Sequence, residues 1–231
     1  MANLSINRSK QLKNQQFYAE ISQKKTIILH HTAGMTADGA INWWNQTPEA
    51  VGTAYVIDRD GTIYEVFNPD CWAWSLGIGN RTLEKQTVAI EIVSAGQLVQ
   101  EGAQFKFYPL FPSKIGGQVV PNEEVITFDT PYKGCKYYHK YTDAQVQSTL
   151  DLVKSLVDKY QIQVQDLKDF WIYNPKVSAE NRPGIYSHTT VLQEKSDIFP
   201  QPNLIEGLNK LFTKKATKVK GEGGYRGDGD C

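Results

Sequence analysis

The chain predicts an α/β (α+β) domain in which a central mixed β-sheet is flanked by helices. Three observations carry this. Short runs of aliphatic and β-branched residues recur between residues 24 and 93, as buried strands do. Segments of helical period stand between and after them. At 40% hydrophobic and 22% charged residues over 231 positions, the composition suffices for a core between layers.

Taken in order, residues 1–23 are polar and slightly basic and read as a leading arm or short helix. "KKTIILHH" reads as a strand with lysines at its entry. "TADGAINWWNQ" then predicts a short helix with Ile41 and Trp44 on one side. "GTAYVIDRDGTIYEVF" holds two β-rich runs around Arg59-Asp60-Gly61, and Asp-Gly at that place marks a hairpin. In "TVAIEIVSAG", Val88, Ile90 and Ile92 line one face and Ala89, Glu91 and Val93 the other. Both faces are apolar apart from Glu91, so this is a central strand covered on both sides. A lone carboxylate in such a setting needs a partner or a job.

Residues 96–140 are rich in Pro, Gly and aromatics, with short strand-like pieces, and read as a long insertion or hairpin excursion, not a separate domain. "TDAQVQSTLDLVKSLVDKYQI" is the clearest helix, with a capping box at Thr142 and Gln145. Val146, Leu150, Val153, Leu156, Val157 and Tyr160 form its apolar stripe. "GIYSH" is a short apolar run ending in His188, and a last helix is expected over 203–212. The domain thus spans 24–212, followed by a tail at 213–231 that is basic, then glycine-rich, and expected to be disordered.

Lys+Arg and Asp+Glu both number 25, so no net charge draws the chain to nucleic acid or an anionic membrane. No apolar stretch is long enough to insert in a membrane. Three cysteines make no disulfide framework. The polar start "MANLSINRSKQLKNQQF" lacks a signal peptide's apolar core, so synthesis in a cytoplasm is expected. Nothing points beyond a monomer. Trp43, Trp44, Trp72 and Trp74 lie in polar neighbourhoods and read either as core or as a surface that stacks on sugars or peptides.

"TIILHHTAG" places two adjacent imidazoles at the end of a strand. A catalytic zinc site takes three protein ligands on rigid elements and keeps one position open. His30 qualifies, as does His188, and Asp197 follows nine positions later in "QEKSDIFP", close enough for a loop to return. Cys135 and His139 have a C-x3-H spacing but no second pair.

The succession "IILHHTAG", "AYVIDRDGTIYEV", "TVAIEIV", "YTDAQ" and then His-x8-Asp resembles the type 2 N-acetylmuramoyl-L-alanine amidases and the related peptidoglycan recognition proteins. The resemblance covers roughly residues 24–212 apart from the insertion. It implies zinc held by His30, His188 and Asp197, with Glu91 as catalytic acid/base and Lys195 as an oxyanion-stabilising cation. His31 is then a neighbour and not a ligand. Another branch uses a tyrosine that maps to Thr53, with Tyr55 two positions out of register; these two and Trp74 are the expected substrate contacts. Where many members have "WHAG", this chain has "WAWSLG", with Ser75 in place of the histidine, so altered substrate contacts are expected.

The activity so implied is zinc-dependent cleavage between N-acetylmuramic acid and L-alanine in peptidoglycan or muropeptides. The expected role is that of a phage endolysin, made in the host cytoplasm and reaching the wall after release. The rivals are a muropeptide-recycling amidase, a virion component acting at entry, and a non-catalytic peptidoglycan-binding module.

Overall fold

A computed structural model describes residues 4–109, 114–164, 167 and 170–219. In chain order the strands are β1 (Ile6–Asn7), β2 (Thr26–His31), β3 (Tyr55–Ile57), β4 (Ile63–Glu65), β5 (Thr87–Ile92), β6 (Gln97–Glu101), β7 (Gln104–Phe107), β8 (Gln118–Val120), β9 (Val125–Tyr132), β10 (Cys135–His139) and β11 (Gly184–Ser187). The helices are α1 (Ala37–Trp44), α2 (Arg81–Gln86), α3 (Asp143–Tyr160), α4 (Pro175–Ala179), α5 (His188–Val191) and α6 (Pro202–Val219). Among the described residues, no helix is long and apolar enough to cross a membrane.

The main sheet is mixed, in the order β1-β4-β3-β5-β2-β11. Its four strands β3, β5, β2 and β11 run parallel, so their C-terminal ends share one edge. β2 is buried along its whole length. Ile27 and Leu29 pack with Val153, Leu156 and Val157 of α3 and Leu204 and Leu208 of α6. Ile28 packs on the opposite face with Leu76, Leu83, Val177, Tyr186 and Val191. Covering both faces is what an unbroken aliphatic run requires. Each such side chain contributes about 1.5–3 kcal/mol on burial.

α3 starts as its sequence implies. The Thr142 hydroxyl accepts from the Gln145 N–H and the Gln145 side chain accepts from the Thr142 N–H. Buried Gln145 also donates to Val93 O at 2.8 Å, which pins the helix start to the end of β5. The apolar stripe is wider than expected, since Leu152 and Thr149 are also buried. α6 comes so close that a Cβ on Gly207 would lie 2.2 Å from Leu150 Cδ1, so any larger residue there would make Leu150 shift. The β3–β4 hairpin turns at Gly61, whose φ is +87°.

Three segments differ from the sequence reading. The first 23 residues are more than an arm. β1 adds a parallel edge strand to β4, Leu12 is buried, and Phe17 stacks on Phe67 with centroids 5.1 Å apart. Widely spaced apolar residues and backbone bonds such as Leu12 N to Val66 O (2.8 Å) carry no periodic signal. Residues 97–139 form a second, antiparallel sheet in the order β8-β7-β6-β10-β9, with Leu98, Phe107 and Val120 as its own small core. The last helix continues past 212 to Val219. "TKKATKV" carries Lys and Ala, which favour a helix, and no Gly or Pro to stop it. The rest of the tail, 220–231, lies outside the described residues.

Lys24, just before β2, is a buried cation. Its ammonium donates to Cys71 O and Lys85 O, both at 2.7 Å. Burial pushes its pKa from the usual 10.5 down to about 8. Between these values the unfolded chain holds a proton that the folded chain has lost, so stability rises with pH across that window. Denaturant unfolding of wild type and Lys24→Met at pH 7.5 and pH 10 is expected to show the wild type gaining on the variant at the higher pH. A constant difference would mean that Lys24 stays charged throughout.

Candidate active site

His30 lies one residue before the end of β2, directly beside Glu91 of β5 in the parallel register. β11 pairs with β2 through Ser187 and Leu29, which brings His188, the first residue of α5, alongside His30. The chain then turns back. The Thr189 N–H donates to Asp197 O at 3.0 Å and the Thr189 hydroxyl to Lys195 O at 2.9 Å. This returns Asp197 to its place beside His188.

Three donor atoms converge as a result. His30 Nδ1 and His188 Nδ1 are 2.9 Å apart, His188 Nδ1 and Asp197 Oδ2 are 2.9 Å apart, and His30 Nδ1 and Asp197 Oδ2 are 3.3 Å apart. All three residues are buried, and among the described residues this is the one cluster of three His, Cys or carboxylate side chains close enough to share an ion. His188 Nε2 lies 3.0 Å from Leu76 O, a carbonyl that can only accept, so Nε2 donates to it and Nδ1 faces His30 and Asp197. Burial, and then His188, push the His30 pKa down to about 4, which keeps its ring neutral. Burial alone would raise Asp197, but its contacts with His188 and His30 outweigh this and hold it well below the usual carboxylate range.

The fixing carbonyl is itself held. Buried Glu84 of α2 accepts from Leu76 N (2.9 Å), Ser75 N (3.1 Å) and the Ser75 hydroxyl (2.9 Å). Ser75 therefore anchors the loop to Glu84. On the other side, the Tyr132 hydroxyl lies 3.1 Å from Thr189 Oγ1 and donates to Ile198 O at 3.2 Å. The second sheet thereby holds the Thr189 side chain next to His188 and the Ile198 backbone next to Asp197. Neither Glu84 nor Tyr132 carries a motif, and sequence reasoning missed both.

Glu91 is half-buried, and its Oε2 is closed to solvent with no hydrogen-bond partner. Burial, and then the charge of Asp197, raise its pKa well above the carboxylate range, while Lys195 acts in the opposite sense. The Lys195 charge also acts on His30 and His31.

His31 points to the other face of the sheet. Its Nδ1 lies 3.0 Å from the Tyr141 hydroxyl, and burial pushes its pKa to about 4. Its ring fills the space a side chain at Gly96 would need, since a Cβ there would lie 2.5 Å from Nε2.

Tyr55 pairs with Ile90 in register, so it faces away from Glu91, and its hydroxyl donates to Glu65 at 3.2 Å. Thr53 is buried, and its hydroxyl donates to Tyr55 O at 2.9 Å. Trp74 is half-buried, with its indole N–H on the Tyr18 hydroxyl at 3.2 Å. Trp44 and Trp72 are core residues, and Trp43 is exposed. Cys135 and His139 do not converge. The Cys135 thiol donates to Tyr137 O, while His139 sits between the Ala95 N–H and Glu124.

A family model described as N-acetylmuramoyl-L-alanine amidase matches residues 21–202. The chain belongs to this family. The amidase thus has the enzyme class that its site chemistry suits, the hydrolysis of an amide in peptidoglycan. Solved structures share its fold. Staphylococcus aureus hydrolase AmiA, determined in complex with its ligand, superposes with a TM-score of 0.53 at 13% identity, covering 93% of this chain and 86% of that one. PlyL gives 0.51 at 16% identity, covering 88% and 95%. The catalytic domain of XlyA gives 0.50 at 11% identity, covering 90% and 97%. No curated protein matches the amidase sequence significantly.

Proposed function

We propose that the amidase is a zinc enzyme that cleaves the bond between N-acetylmuramic acid and L-alanine, and that it works as a phage endolysin on the bacterial wall. The observation that carries the zinc reading is the convergence of His30 Nδ1, His188 Nδ1 and Asp197 Oδ2 within 3.3 Å. A tetrahedral ion with ligand bonds of about 2.0–2.1 Å sets its donors roughly 3.3 Å apart. Two imidazoles and one carboxylate suit zinc, and three ligands leave a position open.

His30, His188 and Asp197 would hold the ion. When bound it supplies Lewis acidity for the amide carbonyl and for water. Glu91 Oε2 then takes the proton of the attacking water and delivers it to the leaving nitrogen of L-alanine. Its raised pKa suits a group that must hold a proton between these steps. The Lys195 ammonium stabilises the negative charge that develops on the carbonyl oxygen. The C–N bond breaks, leaving a muramoyl carboxylate and a free L-alanine amino terminus.

The test is product analysis on purified peptidoglycan. New L-alanine amino termini without new reducing sugar ends are expected, lost with chelator and restored by zinc. Cleavage indifferent to chelator would overturn the zinc reading. Comparable activity on intact sacculi and soluble anhydro-muropeptides is expected of an endolysin. Activity confined to the soluble fragments would make it a recycling enzyme.

Tyr132 gives a finer prediction. Tyr132→Phe keeps the ring but frees Ile198 O and Thr189, and is expected to weaken zinc binding about ten-fold. Competition with a chromophoric chelator measures this. An unchanged affinity would leave Tyr132 a packing role alone.

A further inference from the structure

A cavity of about 470 Å³ lies between the ends of β2 and β5 and the second sheet. Ala33, just past β2, and Ser196, next to Asp197, line its inner side; Leu98, Phe107, Lys133 and Cys135 line the side built by residues 97–139. It therefore abuts the loop that carries Asp197. Among the described residues no carboxylate lines it, and Lys133 is its one lysine or arginine.

Any substrate cut between N-acetylmuramic acid and L-alanine has two arms leaving the reacting bond, a glycan and a peptide. A glycan calls for open aromatic faces and carboxylates to accept its hydroxyls. Here the rings of Phe107 and Tyr108 are 6% and 7% exposed, and the Tyr108 hydroxyl donates to Glu101 at 2.8 Å. The walls at Ala33, Leu98 and Phe107 are apolar, with a cation at the rim. That chemistry fits a short peptide of small apolar side chains bearing a carboxylate.

Lys133 is placed for such a group. It stands at the β9–β10 turn with φ +48°, followed by Gly134 at φ +76°. Its ammonium donates to Gln193 O at 2.8 Å, in the loop leading to Asp197. One of its three N–H donors is thereby engaged, and the head group is fixed beside the cavity with others to offer.

We propose that this cavity receives the stem peptide beyond L-alanine, and that Lys133 reads the carboxylate of the glutamyl residue that follows it. The inference rests on the amidase reading above. It makes residues 97–139 a specificity element, with preference for a free glutamyl carboxylate over its amide.

The experiment compares hydrolysis of two soluble muramoyl peptides that differ only in D-glutamate or D-isoglutamine at the second position. Wild type is expected to favour the free acid. In Lys133→Met the ratio of kcat/KM between the two is expected to fall about ten-fold, mainly through KM, as loss of a charge-assisted hydrogen bond implies. Val99→Trp, which fills the cavity from β6, is expected to raise KM for both peptides over that for muramoyl-L-alanine alone. An unchanged ratio in Lys133→Met, or an equal loss on both peptides, overturns the proposal. Wild type inert on all three substrates would instead sink the amidase reading. Calorimetric titration of the free L-Ala-D-Glu dipeptide into wild type and Lys133→Met then still reads the cavity, and equal binding overturns it.

Discussion

Glu91→Gln is expected to lower amide hydrolysis by about 10²–10⁴-fold while the protein still binds zinc and folds. The change is nearly isosteric and removes only the ability to take and return a proton. The carboxyl it replaces has a buried Oε2 without a partner and a raised pKa, so it contributes nothing to stability in its charged form. The variant should therefore melt at or above the wild-type temperature. Steady-state release of L-alanine amino termini, zinc content and a thermal scan on one preparation check all three. Wild-type turnover in this variant would reduce Glu91 to a structural carboxyl. A cold, misfolded variant would make it a packing residue whose partner lies elsewhere.

His188→Ala is expected to abolish both zinc retention and turnover, and to destabilise the fold by about 1–3 kcal/mol. Three partners lose their contact at once: His30 Nδ1, Asp197 Oδ2 and Leu76 O. The Asp197 carboxylate is then left buried with less to offset its charge. Equilibrium dialysis should find well under one zinc per chain, and urea unfolding should find the lower stability. His31→Gln is the contrast. His31 lies on the opposite face against Tyr141, so its loss should leave the metal in place and affect packing. If both variants kept zinc, the ion would have to sit elsewhere.

Much of the fold was legible because the relevant signals are local. Both faces of "TVAIEIV" are apolar, and the strand is central and covered on both sides. Asp-Gly between β-rich runs became a hairpin, and Thr142 with Gln145 became a capping box. The cluster of His30, His188 and Asp197 was legible through the order of motifs and now stands as a geometric fact. What the sequence hid is side chains holding backbone groups outside their own element. Glu84 reaches Leu76 across a turn of chain, and Tyr132 reaches Ile198 over 66 positions. Neither leaves a periodic trace. The second sheet was hidden for a related reason. Its strands are short, half-exposed and interrupted by Pro and Gly, so their pairing decides the structure more than their composition does.

The pairing of β2 with β11 joins the first long strand of the chain to its last. Its consequence concerns time. His30 emerges from the ribosome early, but its partners at 188 and 197 are made more than 150 residues later. A nascent chain thus lacks two of the three cluster residues for most of its synthesis. Contacts of such span also form late in folding. The cluster is therefore completed in one step, at the end of synthesis, and not by degrees.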